Sequence, residues 1–124
     1  MLVGDLMEVI LYVNNMAEAV AFYRDRLGLT VVYPVCPDYA DEYWVVFETG
    51  TCKLCLHGGG QGNRDSDKPK IVFHVQDIHD ARHELNARGI ALSEVRSPSP
   101  GVHVCDGVDP AGNPFSIEST AAAS

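Results

Sequence analysis

Tyr12-Val13-Asn14-Asn15-Met16-Ala17-Glu18-Ala19 returns 62 residues later as His74-Val75-Gln76-Asp77-Ile78-His79-Asp80-Ala81. Each copy is the end of an apolar strand running into a capped amphipathic helix, and each helix closes near a glycine, Gly28 and then Gly89. The period is half of the 124-residue chain. A half of that size buries too little surface to fold alone, so the two copies must share a core. The cleft between pseudo-symmetric halves is then the natural place for a small ligand.

Working outward from the first copy, Glu8 to Val13 reads as a strand, and Asn15-x-x-Glu18 starts a helix whose Met16, Ala19, Val20, Tyr23 and Leu27 recur at helical spacing. Leu29 to Tyr33 follows as a strand, then Tyr43 to Glu48 and Thr51 to His57 as a hairpin turned at Thr49-Gly50. The second copy repeats the order: Lys70 to Val75, a helix from Ile78 to Arg88 capped by Asp77, then strands at Ile90 to Glu94, Val102 to Cys105 and Pro114 to Glu118. The expected fold is α+β: two pseudo-symmetric βαβββ modules, 7–57 and 70–118, forming curved mixed sheets around a shared cavity. The polar, Gly-rich stretch 58–69 reads as a flexible linker and the Ala-rich tail after Thr120 as a frayed end.

Alternation assigns sides to each strand. Val9, Leu11, Val13, Leu54, Leu56, Ile71, Phe73, Val75, Phe115 and Ile117 are uniformly apolar and should pack beneath the helices. The opposite face is mixed. It carries Glu8, Ile10 and Tyr12, then Lys53, Cys55 and His57, then Lys70, Val72 and His74, and finally Pro114, Ser116 and Glu118. Polar groups on a cavity wall need partners, ligand or water, which makes this face the candidate site.

Composition narrows the partners. Nine Lys+Arg against 17 Asp+Glu give a net charge of -8, which repels phosphate backbones and anionic lipid. The chain is expected to bind neither nucleic acid nor membrane. No apolar run approaches the roughly 18 residues a membrane helix needs, and no basic-then-apolar leader opens the sequence, so a cytoplasmic location is expected. The four cysteines read as free thiols; Cys52-x-x-Cys55 has half a zinc-site spacing, but strand residues three apart face opposite ways.

These residues resemble the vicinal oxygen chelate superfamily, which includes glyoxalase I, bleomycin resistance proteins and extradiol dioxygenases. The resemblance rests on Leu11-Tyr12-Val13-x-x-Met16-x-x-Ala19-x-x-Phe22-Tyr23-x-x-x-Leu27-Gly28-Leu29, on Val75-x-Asp77-Ile78, and on Asp109-Pro110-Ala111-Gly112-Asn113-Pro114. It implies the paired-module fold and a homodimer. It also implies, for members with metal chemistry, His, Gln or Glu ligands that grip two vicinal substrate oxygens and stabilise an oxyanion or enediolate.

Carried over position by position, the resemblance puts those ligand sites at Glu8, Cys55, Lys70 and Ser116, of which only Glu8 is a fitting donor. The usual set is not preserved, and no cofactor is expected from it. A displaced set of Glu8, His57, His74 and Glu118 lies on the same strand faces and has the donor types that suit zinc, nickel, manganese or iron. Plainer readings stand beside these: His57 as a strand end, His74 as a hydrogen-bonded wall histidine, Glu8 paired with Lys70, and the aromatics as packing.

Two functions remain open at this point. One is a glyoxalase/bleomycin resistance-like protein that binds a small organic molecule in an acidic, aromatic-lined cavity through Tyr12, Trp44, Cys55, His57, Lys70 and Ser116. The other is a metal-dependent lyase, isomerase or dioxygenase using the displaced set. Glu8 and His74 are the candidate catalytic groups in either an enzyme of that kind or a metal-free acid and base mechanism.

Overall fold

The computed structural model describes residues 2–63, 65–110 and 113–120, so the tail after Thr120, Arg64 of the linker and the Ala111-Gly112 centre of the last motif lie outside the described residues. The elements are β1 (Val3–Tyr12), α1 (Met16–Val20) continued by a π-helical segment (Ala21–Arg26), β2 (Thr30–Tyr33), β3 (Trp44–Glu48) and β4 (Lys53–His57). Then come β5 (Lys70–Val75), α2 (Ile78–Ala87), β6 (Arg96–Ser99), β7 (Val102–Val108) and β8 (Pro114–Thr120). Strand, helix and three strands occur twice, the α+β arrangement expected from the repeat.

The chain divides into two compact units. One comprises Glu8–Pro69; the other joins the residues up to Met7 to those from Lys70 onward. In the first unit the strand order is β2-β3-β4-β1, with β1 parallel to β4 and the other pairs antiparallel. In the second it is β1-β5-β8-β7-β6, with β5 parallel to β8 and β8-β7-β6 antiparallel. Strand β1 thus starts earlier than the sequence pattern indicates, because its first residues, Val3 to Met7, belong with β5 in the second unit.

Each unit has its own core, and the alternation argument assigns most of it. In the first, Met16, Val20, Tyr39, Val45, Phe47 and Leu56 are buried, with Leu11, Val13 and Leu54 against them. In the second, Val75, Ile78, Ala81, Leu85, Leu92, Cys105 and Ile117 are buried, with Phe73 and Phe115 against them. Ile71 departs from the expected pattern and is 38% exposed.

Capping residues start both helices as read. The Asn15 side chain accepts from the Glu18 N–H, and Asp77 accepts from the His79 and Asp80 N–H groups. The first helix does not stay α-helical. The Leu27 N–H reaches the Phe22 carbonyl at 3.0 Å, five residues back, so the turn is widened and later residues leave the 3.6-residue phase. Leu27, expected on the buried stripe, is 58% exposed.

One further expectation is corrected. Ile90 to Glu94 is not a strand; the strand follows it, at Arg96–Ser99. The reason is local. Leu92 is buried in the core, and the Ser93 hydroxyl accepts the Asp106 N–H at 2.9 Å, the bond that a neighbouring strand carbonyl would otherwise take. Linker 58–69, read as flexible, has an organising centre: the Asp67 carboxylate accepts from the N–H groups of Gln61, Gly62 and Asn63 and from the Ser66 hydroxyl.

Candidate functional site

Strand register brings the mixed face of the first unit into three rows. Glu8, Lys53 and Glu48 are partners across β1, β4 and β3; so are Ile10, Cys55 and Val46, and so are Tyr12, His57 and Trp44. The first row is charged, with Lys53 Nζ 2.7 Å from Glu48 Oε2. The second is closed to ligand, since Cys55 is fully buried and Ile10 is buried too.

The third row is aromatic. The His57 ring lies 5.0 Å from Tyr12, 4.9 Å from Tyr43 and 6.0 Å from Trp44, centroid to centroid, with Tyr43 and Trp44 edge-on to it. Such separations and angles are those of favourable aromatic pairing. His57 Nδ1 is 2.6 Å from the Gly58 carbonyl oxygen. A carbonyl can only accept, so Nδ1 is the nitrogen that donates here and Nε2 is left for a second polar contact. Tyr43 fits beside it because residue 58 is glycine: a Cβ there would stand 2.7 Å from the Tyr43 ring.

The second unit presents charge instead. Val72, Ser116 and Asp106 are register partners across β5, β8 and β7, and so are His74, Glu118 and Val104, with Arg96 of β6 opposite Val104. Asp106 is the hub. Lys70 Nζ donates to its Oδ1 at 3.1 Å, the Ser116 hydroxyl donates to the same oxygen at 2.5 Å, and Arg96 donates through Nε at 2.7 Å and Nη2 at 3.0 Å. Bidentate guanidinium and ammonium donors hold the Asp106 carboxyl well below the usual carboxylate range, against the opposing effect of its partial burial.

Glu118 is the reverse case. It is half-buried, no hydrogen bond reaches its carboxyl among the described residues, and burial pushes its pKa up despite the nearby Arg96 and Lys70 charges. A carboxyl that is kept off its ordinary pKa without a partner is the kind of group found at functional positions.

The expected residues therefore separate. Tyr12, Trp44 and His57 meet; His74 and Glu118 are neighbours; Lys70 and Ser116 are both committed to Asp106, and Ser116, like Cys55, is buried. Glu8 is in register with Lys53, four residues before His57, a separation of about 13 Å along a strand. Among the described residues no group of three or more His, Cys, Asp or Glu side chains is placed to hold a metal ion. The carried-over positions do not fit one either, with Lys70 and Ser116 donating to a carboxylate and Cys55 shut away.

Asp106 and Arg96 escaped the sequence reading. Alternation along Val102, Val104 and Asp106 would have placed Asp106 on the mixed face had β7 been extended past Cys105. Arg96 carried no such signal, because the strand that positions it was read six residues too early.

With this geometry in hand, comparison with known proteins is informative about family. No curated protein gives a sequence match. Among solved structures, a glyoxalase/bleomycin resistance protein/dioxygenase superfamily member from Vibrio splendidus 12B01 is similar, with a TM-score of 0.67 at 22% identity over 93% of this chain and 97% of that one. Methylmalonyl-CoA epimerase from Mycobacterium tuberculosis gives a TM-score of 0.75 at 17% identity over 96% and 89%. A methylmalonyl-CoA epimerase in complex with methylmalonyl-CoA and NH4+ gives 0.74 at 15% identity over 98% and 97%. At these identities the likeness is one of fold. The family model for the Glyoxalase/Bleomycin resistance protein/Dioxygenase superfamily matches residues 6–117, nearly the whole chain, and the protein belongs to that superfamily.

Proposed function

We propose that this protein binds a small, flat organic molecule against the aromatic row of its first unit. The observation that carries the reading is the gathering of the Tyr12, Tyr43 and Trp44 rings about His57 at 4.9–6.0 Å. Rigid rings give large contact area at low entropic cost, and His57 Nε2 supplies one directional polar contact. The net charge of -8 favours ligands that are cationic or carry a cationic arm. The protein acts as a homodimer, as the family resemblance implies.

Trp44 is the chain's single tryptophan, so its fluorescence reports on this row alone. The test is a titration with bleomycin, a panel of planar aromatic cations and their uncharged analogues, and methylmalonyl-CoA, the ligand of a structural relative. Saturable quenching by one class is expected. Tyr43→Ala, which removes an exposed ring, should weaken it by about tenfold, the equivalent of one good aromatic contact. Fluorescence unchanged across the whole panel would falsify the reading.

A further inference from the structure

A cavity of about 510 Å3 lies where the end of β1 meets the first helix, within the range that small-molecule sites occupy. Its wall includes Tyr12, Glu18, Phe22, Tyr23 and Arg26, and Trp44 and His57 have no part in it. Phe22 is 43% exposed, an unusual position for a phenylalanine on a helix packed to a core. The π-helical widening produces this, since the residues from Ala21 on no longer follow the buried stripe set by Met16 and Val20. The exposed ring is nonetheless held. It stands edge-on to Tyr23 at 5.1 Å and 90°, and Tyr23 in turn lies 5.9 Å from the buried Phe47.

The charges around the cavity are not spent on one another. Arg24, on the same helix, donates twice to Asp25 and lies 5.6 Å over the Tyr39 ring. Arg26, by contrast, has no hydrogen bond, ion pair or ring contact among the described residues. An arginine fork next to a fixed, accessible aromatic ring matches a planar carboxylate attached to a planar ring.

We propose that this cavity is a second binding site, adjoining the aromatic row at Tyr12, and that it takes an aryl carboxylate with its ring against Phe22 and its carboxylate on Arg26. The wall carries one cation, Arg26, and one carboxylate, Glu18, so the ligand's anionic end is placed on Arg26 and its ring, not its charge, faces the rest of the wall. Its own contacts, Phe22 and Arg26, lie outside the aromatic row, whose ligand Trp44 fluorescence follows.

The experiment is a chemical-shift titration of the 15N-labelled full chain with 2-naphthoate, for which a Kd of about 1 mM is expected from ligand size. Saturable shifts should concentrate among residues 12–26. Arg26→Gln should weaken binding about tenfold, as loss of one charge-assisted pair implies, and Phe22→Ala should weaken it as well. Both residues are exposed, so both variants are expected to fold, which their unperturbed amide spectra elsewhere would show. Arg88→Gln, at the C-cap of α2 in the other unit, should bind as the parent does, and 1-naphthylmethylammonium, whose place is the aromatic row, should leave residues 18–26 unshifted. The proposal is overturned if no saturable shifts appear among residues 12–26, if Arg26→Gln and Phe22→Ala bind as the parent does, or if the cationic analogue shifts residues 18–26 equally well.

Discussion

At the scale of single residues, Asp106 of β7 and Glu118 of β8 are two carboxyls of one sheet face with opposite energetics. Asp106 is ionised and crowded with donors; Glu118 is half-buried with none among the described residues. Because folding lowers the Asp106 pKa, its stabilisation is complete above the ordinary carboxylate range and is lost as pH falls through that range and below. Asp106→Asn should cost about 1–2 kcal/mol at neutral pH, discounted for a side chain one-third exposed, and the gap to the parent should close on acidification. For Glu118 the folded pKa is raised, so its contribution is complete in acid and is lost as pH rises above the ordinary range. Glu118→Gln should therefore equal the parent in acid and exceed it at neutral pH. Urea denaturation of both variants from about pH 2 to 8 checks this, and parallel pH curves for the two would refute the assignment.

Elements are placed here by close approaches as much as by pattern. The N–H of Gly60 donates to the Val13 carbonyl at 2.9 Å, and a Cβ on Gly60 would stand 2.8 Å from Val13 backbone atoms. The chain leaving β4 can lie against the end of β1 only with no side chain at that position. Gly60→Ala should destabilise by about 2 kcal/mol, since backbone rather than a flexible side chain must yield. A melting temperature equal to the parent's would show that the approach is not needed. The same scale explains the misread sixth strand. Ile90 to Glu94 has a strand-like composition, yet Leu92 is drawn into the core and the Ser93 hydroxyl replaces a ladder acceptor, so pairing begins only at Arg96. Composition carries no trace of that substitution. Pro98, awkward in a central strand, is tolerated because β6 is the outer strand of its unit.

For the whole molecule, the expected homodimer is open to direct measurement. Large apolar side chains are exposed between residues 27 and 43 of the first unit: Leu27, Tyr33, Val35 and Tyr43 at 58–83%. Apolar exposure of this density is characteristic of association surfaces. Sedimentation equilibrium should give about twice the 13.5 kDa chain mass, falling to one chain in Val35→Asp. A monomer in the parent protein at micromolar concentration would rule the expectation out. No helix among the described residues is long and apolar enough to cross a membrane.

The repeat, the capped helices and the apolar strand faces were determined by the sequence itself, because 62-residue periodicity, cap residues and two-residue alternation act over short stretches of chain. Tyr12 and His57 could be named from alternation as members of one face, and Trp44 as an aromatic candidate beside them. That Tyr12 and Trp44 flank the same histidine was decided only by register across β1, β4 and β3. The Asp106 hub was decided the same way, from residues up to 36 positions apart, as was the division of the donor residues that alternation alone placed on matching faces. Register and long-range pairing depend on which strands meet, and strand partners are chosen by the packing of the whole unit, which no local pattern encodes.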